Sequence, residues 1–252
     1  MTAVTQARIE AIVARGTWRN LEQIAAGLVQ DAESVAQSAT RMNPVLGGGT
    51  RLMLAMKHRI SDGLDLFIRD PQWLGYLTPR KNPLLENTIG GYTESNDFLQ
   101  FSLIEGDIRF FVSGSLLDLP TEKAPNCHFE LEHPAEILAK NFFYGGSGLR
   151  PQDLFDWRSL ENRYSPDELH IKAIAKLLRG RFGDKIDMIE SALDWFDKPS
   201  VGEIQWDEIL APPSLNYRES VEWAKLRLEQ FRIPEPGERT RVRPRAKTGF
   251  GP

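Results

Sequence analysis

A run of three glycines before a short helix and a strand, residues 47–67 (GGGTRLMLAMKHRISDGLDLF), constrains the fold of this 252-residue chain more than any other segment. Neighbouring glycines allow turns and close approaches that other residues resist. The N-terminus of the helix faces the same turn, and helix N-termini attract anions such as phosphate. The strand beyond carries Asp65, and carboxylates are the ligands that Mg²⁺ prefers. This order predicts a triphosphate site in which Gly48, Gly49 and Thr50 contact the phosphates.

The strand LDLFI (64–68) should place Asp65 and Phe67 on one face and its leucines and isoleucine on the other. Two aspartates at positions i and i+2 of such a strand would grip a metal ion from one side. The residue two positions before Asp65 is Gly63, so this pair is incomplete. A bulge at Gly63 would turn Asp62 into the site, whereas a regular strand points it away. Asp65 could also be an ordinary strand-end acid that faces solvent.

The hydrophobic pattern predicts an α+β first part, residues 1–132. It begins with two helices in residues 4–40 and continues with a helix over 51–57. A short helix at 71–77 follows the first strand. Further strands are expected at 98–104, 108–114 and 127–132, and the turn Glu105-Gly106-Asp107 should join the first two of them.

From residue 133 the pattern becomes helical, with five amphipathic segments separated by glycines and prolines. They are predicted at 134–144, 151–163, 165–178, 184–196 and 216–231. We therefore expect a helical region over 133–232. The basic, proline-containing segment 233–252 has little to bury and is predicted to be disordered. Its five basic residues could contact RNA or could only keep the chain soluble.

Composition excludes several classes of protein. The net charge of −4 provides no overall basic field for nucleic acid, although a local patch remains possible. The single cysteine, Cys127, cannot form an internal disulfide or a cysteine zinc site. No apolar run reaches the roughly 18 residues of a membrane span. We expect a soluble, cytoplasmic protein with no membrane partner.

Four motifs resemble, in order, those of the AbiEii/AbiGii toxin family, which has a nucleotidyltransferase fold. The first motif is the Gly-Gly-Thr turn followed by HRISDGLDLF (58–67). At the matching positions the family has a Gly-Gly-Ser/Thr turn, then His-Arg, then Ser-x-Asp-hydrophobic-Asp. The others are EGDIRFFVSG (105–114), PAEILAKNFFYGG (134–146) and RPQDLFD (150–156). Together they cover about residues 40–160. The resemblance implies a mixed-sheet nucleotidyltransferase-like core with flanking helices, followed by a helical region.

The resemblance also implies an activity and roles for residues. Family members transfer a nucleotidyl group from an NTP to an RNA acceptor, often tRNA, with Mg²⁺, and are encoded beside an antitoxin. Matching positions assign metal binding to Asp65, with Asp62 as a substitute ligand, and phosphate contact to Lys140. Asp153 or Asp156 would orient or deprotonate the acceptor. Further nucleotide contacts are predicted for Arg59, Ser61 and Arg109.

Two departures suggest an alternative function. Gly63 stands where the family has its first strand carboxylate, and Arg109 stands where it has a third acid. A guanidinium repels a metal ion but pairs well with phosphate. The chain could therefore be an inactive descendant that binds nucleotide, RNA or a protein partner. A purely structural protein is a third interpretation.

Several predicted site residues also have ordinary explanations. Arg59 could pair with a nearby acid instead of a phosphate. Lys140 could be a surface lysine whose stem covers an apolar helix. Asp153 and Asp156 lie one helical turn apart and could form a solvated face.

Overall fold

In the computed structural model, residues 5–37, 40–79, 91–180, 185–196, 206, 215–234 and 236–237 are described. Within these ranges, six strands form one mixed sheet in the order β3-β4-β5-β2-β1-β6. The strands are β1 Val45–Gly47, β2 Leu64–Ile68, β3 Tyr92–Glu94, β4 Phe98–Leu103, β5 Gly106–Val112 and β6 Glu130–Leu131. β2 is parallel to β5 and β1 is parallel to β6, whereas the other pairs are antiparallel.

Helices precede the sheet, connect its strands and follow it. They are α1 Gln6–Arg15, α2 Trp18–Ala36, α3 Gly48–Met56, α4 Gln72–Leu77, α5 Pro134–Lys140, α6 Pro151–Arg163, α7 Ile171–Arg179, α8 Lys185–Phe196 and α9 Tyr217–Arg232. Side chains cap several of the starts; for example, Thr5 accepts a hydrogen bond from the Arg8 amide and Asn216 accepts one from the Glu219 amide. No helix in the described ranges is long and apolar enough to cross a membrane.

The sheet buries one face against helices and turns the other towards a pocket. Leu64, Leu66 and Ile68 of β2 are fully buried in a core that includes residues of α2 and α4. Asp65 and Phe67 lie on the opposite face and are only partly buried. The predicted alternation along β2 is therefore observed, and it places Asp65 beside the pocket instead of in the core.

A second core lies among the helices that follow residue 133. It surrounds Trp157 and Phe142, which are both fully buried. Leu52 of α3 also belongs to this core, although α3 precedes most of the sheet in sequence. The predicted α+β class, a mixed sheet with flanking helices and a helical region after it, is confirmed.

Several boundaries differ from the sequence prediction, among them the hairpin turn and β6. The hairpin turn consists of Ile104 and Glu105, because Leu103 pairs with Gly106. Gly106 is needed as the first strand residue, where φ is 140° and a side chain would meet the Asp62 carbonyl oxygen. β6 contains only two of the six residues predicted for it.

The helix predicted over 165–178 begins only at Ile171. Ser165 and Glu168 exchange hydrogen bonds between side chain and backbone, which form a separate turn. His170 then adopts a left-handed conformation with φ 50°, which separates this turn from α7. The predicted disordered segment 233–252 falls almost entirely outside the described residues.

Candidate functional site

A pocket of about 400 Å³ lies between the exposed face of the sheet and the segment that connects α5 to α6. Five of the residues singled out by the sequence line it: Gly48, Asp65, Arg109, Lys140 and Asp153. The remaining lining residues are Phe67, Asp97, Phe98, Phe111, Val112, Ser113, Asn141, Tyr144, Gly145, Gly148 and Arg150. A volume in this range suits a small-molecule ligand.

Strand register arranges the floor of the pocket into two parallel rows. Asp65 of β2 is opposite Arg109 of β5, which makes a charged row. Two residues further along the same strands, Phe67 is opposite Phe111, and Phe111 is opposite Phe98 of β4. The ring centroids of neighbouring phenylalanines are 5.5 and 5.1 Å apart, so this second row is a continuous aromatic surface.

The glycine turn closes one end of the charged row. Gly48 has φ 60°, a conformation that favours glycine. A Cβ at this position would lie 2.0 Å from the Asp65 Oδ2 atom. Gly48 therefore serves two purposes, since it permits the turn and lets the backbone approach the carboxylate.

Asp65 and Arg109 form an ion pair in which the two closest atoms do not meet hydrogen-bond geometry. Arg109 Nε lies 3.0 Å from Asp65 Oδ1, but the two groups are not aligned as donor and acceptor. Both atoms are buried and have no hydrogen-bond partner among the described residues. Burial raises the pKa of the Asp65 carboxyl above its ordinary value, and the Arg109 charge offsets only part of this effect. The rest of each side chain stays accessible at the pocket, since Arg109 is 29% and Asp65 18% exposed, so a ligand can reach the pair from that side.

The gap left at Gly63 is filled by Arg109. A Cβ on Gly63 would lie 2.3 Å from Arg109 Nη2, so the guanidinium occupies the space that a side chain at position 63 would enter. Asp62 precedes β2, is exposed and does not line the pocket. Among the described residues, no group of three histidine, cysteine or acidic side chains could hold a metal ion. Asp62 is therefore not placed beside Asp65 in the pocket, as the predicted pair of metal-binding aspartates requires.

Lys140 is buried, so the interpretation as a surface lysine is wrong. Its side chain is 5% exposed and its Nζ pairs with the Glu132 carboxylate. The ammonium also lies 3.8 Å from the centroid of the Phe67 ring. Burial raises the pKa of Glu132, and Lys140 offsets this in part. Lys140 thus lies where the aromatic row meets the charged row, with its ammonium held by the Glu132 carboxylate and the face of the Phe67 ring.

Asp156 and Arg59 lie outside the pocket, in a buried cluster with His58. Arg59 Nε and Nη2 donate to the two carboxylate oxygens of Asp156, each at 2.6 Å, and His58 Nε2 is 2.7 Å from Oδ1. Burial alone would raise the pKa of Asp156, but Arg59 and His58 hold it well below the ordinary value. A base that faces an acceptor needs an open carboxylate, which Asp156 does not have. Arg59 binds this acid and not a phosphate in the pocket.

Gly49, Thr50 and Ser61 stabilise the turn from behind and do not line the pocket. The buried Thr50 hydroxyl bonds to the Gly63 carbonyl oxygen and lies 3.1 Å from the Ser61 hydroxyl. A Cβ on Gly49 would lie 2.7 Å from Arg59 Nη2. These residues therefore fix the position of Gly48, which is the member of the turn that reaches the pocket.

The sequence interpretation missed Arg150 and Tyr144. The Arg150 backbone amide donates to the Asp153 side chain at 2.9 Å, and its guanidinium pairs with the same carboxylate. This capping box starts α6 and holds Asp153 at the pocket, so Asp153 is not part of a solvated face. The segment RPQD, with an acid three residues after Arg150, could have indicated that Arg150 precedes α6 and pairs with Asp153. Tyr144 gave no signal, because its position depends on the π-helical turn Asn141–Gly145.

Comparisons with known proteins give similar solved structures only, since no protein-family model and no curated protein matches the chain. MenT4, a nucleotidyltransferase toxin from Mycobacterium tuberculosis, is 14% identical with a TM-score of 0.49, over 92% of this chain and 91% of that one. JHP933 from Helicobacter pylori is 14% identical with a TM-score of 0.40, over 85% and 91%. A Helicobacter pylori protein described as a candidate nucleotidyltransferase is 15% identical with a TM-score of 0.42, over 82% and 93%. These three likenesses concern the fold alone.

Proposed function

We propose that this chain is a nucleotidyltransferase-like protein whose pocket binds a nucleoside triphosphate. The observation that carries the proposal is the convergence of Arg109 and Lys140 on one pocket, next to the Gly48 turn and a row of three phenylalanines. Phosphate needs positive charge and hydrogen-bond donors, whereas a nucleobase needs an aromatic surface. The pocket offers both within a volume of about 400 Å³.

Each group has a role that follows from its position. Arg109 lines the pocket and its side chain is 29% exposed, so its guanidinium can meet a phosphate while it stays paired with Asp65. A guanidinium can bind two phosphate oxygens at once. Lys140 adds a point charge, and Gly48 leaves room for a phosphate to approach the backbone. In this proposal the Arg109 charge neutralises phosphate at the place where the family uses carboxylates with metal.

A second candidate function is transfer of the nucleotidyl group to an RNA acceptor, such as tRNA, with Mg²⁺. Two observations favour it: Asp65 is kept at the pocket, and Asp153 lines the same cavity. The resemblance to the AbiEii/AbiGii family supports it further and suggests an antitoxin partner. Binding without transfer is favoured by the Asp65–Arg109 ion pair, which uses the remaining strand carboxylate.

Calorimetry with each of the four NTPs, in EDTA and in MgCl₂, tests binding. We expect binding that persists in EDTA, and a loss of roughly tenfold or more in Arg109→Ala, because charged hydrogen bonds to the phosphates are lost. The matched control is Lys123→Ala, since Lys123 is 86% exposed and lies outside the pocket. Failure of every NTP to bind under both conditions contradicts the proposal.

A transfer assay separates the two candidates. Purified protein is incubated with labelled NTPs and total RNA, with and without MgCl₂. Label in RNA that requires Mg²⁺ and disappears in Asp65→Ala establishes the second candidate. NTP binding with no label transfer from any nucleotide establishes binding alone.

A further inference from the structure

The two rows on the pocket floor divide the site into a charged end and an aromatic end. The charged end contains Asp65 and Arg109, and the aromatic end contains Phe67, Phe111 and Phe98. Residues two apart on a strand lie about 7 Å from one another, which is comparable to the spacing between a nucleotide's α-phosphate and its base. The floor can therefore contact both parts of one nucleotide at the same time.

Another aromatic ring, that of Tyr144, lines the pocket and packs edge-on against Phe143, with 5.2 Å between the ring centroids. Tyr144 belongs to the π-helical turn that connects α5 to α6, and it lines the same pocket as Phe98 and Phe111. Its side chain is 58% exposed, which is unusual for a ring of this size. Its hydroxyl lies 3.3 Å from the Ser113 hydroxyl, next to the end of β5, and this contact keeps the ring close to the floor.

We infer that Tyr144 and the Phe98–Phe111 surface form a subsite for the nucleobase, with the phosphates directed to Arg109 and Lys140. This inference rests on the proposed function and deepens it, because it names the part of the nucleotide that each end binds. A flat aromatic base on this surface would cover the exposed Tyr144 ring. Stacking depends on the face of the base and not on its edge, so the subsite accepts all four bases. Purines, which have the larger face, should bind most tightly.

Binding of NTPs and of inorganic tripolyphosphate to Tyr144 variants tests the subsite. Tripolyphosphate has the charges of the nucleotide but no base. We expect Tyr144→Ala to weaken binding of every NTP roughly tenfold, the effect of losing one base–aromatic stack, and to leave tripolyphosphate affinity unchanged. Tyr144→Phe keeps the ring and should bind NTPs as the unmodified protein does. Because Tyr144 is largely exposed, its removal should not unfold the chain.

Two controls make the result specific. Tyr92→Ala removes another exposed tyrosine, on β3 and outside the pocket, and should change neither affinity. Arg109→Ala should weaken NTP and tripolyphosphate alike. The subsite is disproved if Tyr144→Ala leaves NTP affinity unchanged, or weakens tripolyphosphate as much as NTP. If the unmodified protein binds neither probe, the proposed function itself fails.

Discussion

Gly63 and Arg109 behave as one unit, because the absence of a side chain at position 63 creates the space in which the guanidinium lies. A Cβ at position 63 would point at Arg109 Nη2, 2.3 Å away, and Arg109 in turn pairs with Asp65. Acids placed at both positions would therefore converge on Asp65. Three carboxylates in one place would offer Mg²⁺ the hard oxygen ligands that it prefers.

This coupling predicts that the double variant Gly63→Asp/Arg109→Asp gains a metal site. We expect MgCl₂ to raise the melting temperature of the double variant and to leave that of the unmodified protein unchanged, measured by differential scanning fluorimetry. Gly63→Asp alone should show little response, since its new acid pairs with Arg109. Arg109→Asp alone should respond less than the double variant, because it offers one carboxylate fewer. A strong response of the unmodified protein would mean that other residues complete a clamp around Asp65.

Gly48 and Gly27 should respond to alanine in opposite directions. Gly48 has φ 60° and lies against the Asp65 carboxylate, so alanine there should destabilise the fold by about 1–3 kcal/mol. Gly27 lies inside α2, and no described atom lies within 4 Å of an added Cβ. Alanine at this position should raise the free energy of unfolding by about 0.5–1 kcal/mol. Urea unfolding gives both values. Equal effects would show that Gly48 is an ordinary turn residue.

The sequence could predict single residues of the pocket but not their pairing. Asp65 follows from strand alternation, and Gly48 from the turn before a helix. Arg109 was placed near Asp65 only by the family resemblance, because the register between β2 and β5 is set by packing across 44 residues of chain, between positions 65 and 109. Arg59 and Asp156 are 97 residues apart, and no local pattern marks them as partners.

At the scale of elements, the cluster of Asp156, Arg59 and His58 joins α6 to the segment between α3 and β2. Asp156 is 2% exposed and receives two hydrogen bonds from Arg59 and one contact from His58. Asp156→Asn would leave a buried guanidinium without its counter-charge. We expect a loss of about 3–5 kcal/mol in the free energy of unfolding.

Asp153→Asn is the matched control for this substitution, because Asp153 lies one turn earlier on α6. At that position the substitution weakens only the cap at the start of α6 and should lower the free energy of unfolding by about 1 kcal/mol. Urea denaturation of both variants at pH 7 measures the two losses. Equal losses would show that the buried cluster contributes no more than a cap.

The pH dependence of the same cluster follows from the lowered pKa of Asp156. In the unfolded chain this carboxyl has a pKa of about 3.9 and binds its proton first as the pH falls. Stabilisation by the cluster is therefore complete above this pKa and is lost in more acidic solution. The stability difference between the unmodified protein and Asp156→Asn should be constant from about pH 5 to 7 and should shrink below about pH 4. A difference that persists at low pH would contradict the assignment.

Element boundaries were predictable where a local signal ends the helix or strand, and not elsewhere. Gly16 separates α1 from α2 as expected. The π-helical turn after α5 had no such signal, because NFFYG continues a helical pattern in the sequence. That turn brings Tyr144 and Arg150 to the pocket, so the missed pocket residues result from a missed change in backbone geometry.

At the scale of the whole molecule, the pocket lies at the junction of two hydrophobic cores. The floor comes from strands that bury their opposite face in the sheet core, and the opposite wall comes from α5, α6 and the segment between them. The sequence predicted a boundary near residue 133 from the change in periodicity. It could not predict that α3 would contribute Leu52 to the helical core, because a leucine on an amphipathic helix fits either partner.

Leu52 therefore connects the stability of the two cores, and its truncation should show whether they unfold together. It is 1% exposed, so Leu52→Ala should lower the free energy of unfolding by about 2–5 kcal/mol. Leu226→Ala, at a 69% exposed position on α9, should change the free energy of unfolding by less than about 0.5 kcal/mol.

Urea unfolding is followed by tryptophan fluorescence and by far-ultraviolet circular dichroism. The fluorescence signal sums six tryptophans, which include Trp73 in the sheet core and Trp157 in the helical core, so separate unfolding of the cores would give a curve with two steps. If α3 couples the cores, both probes give one coincident transition, which Leu52→Ala moves as a whole to lower urea. Two separate transitions, of which the substitution moves only one, would show that the pocket lies between independently folding units.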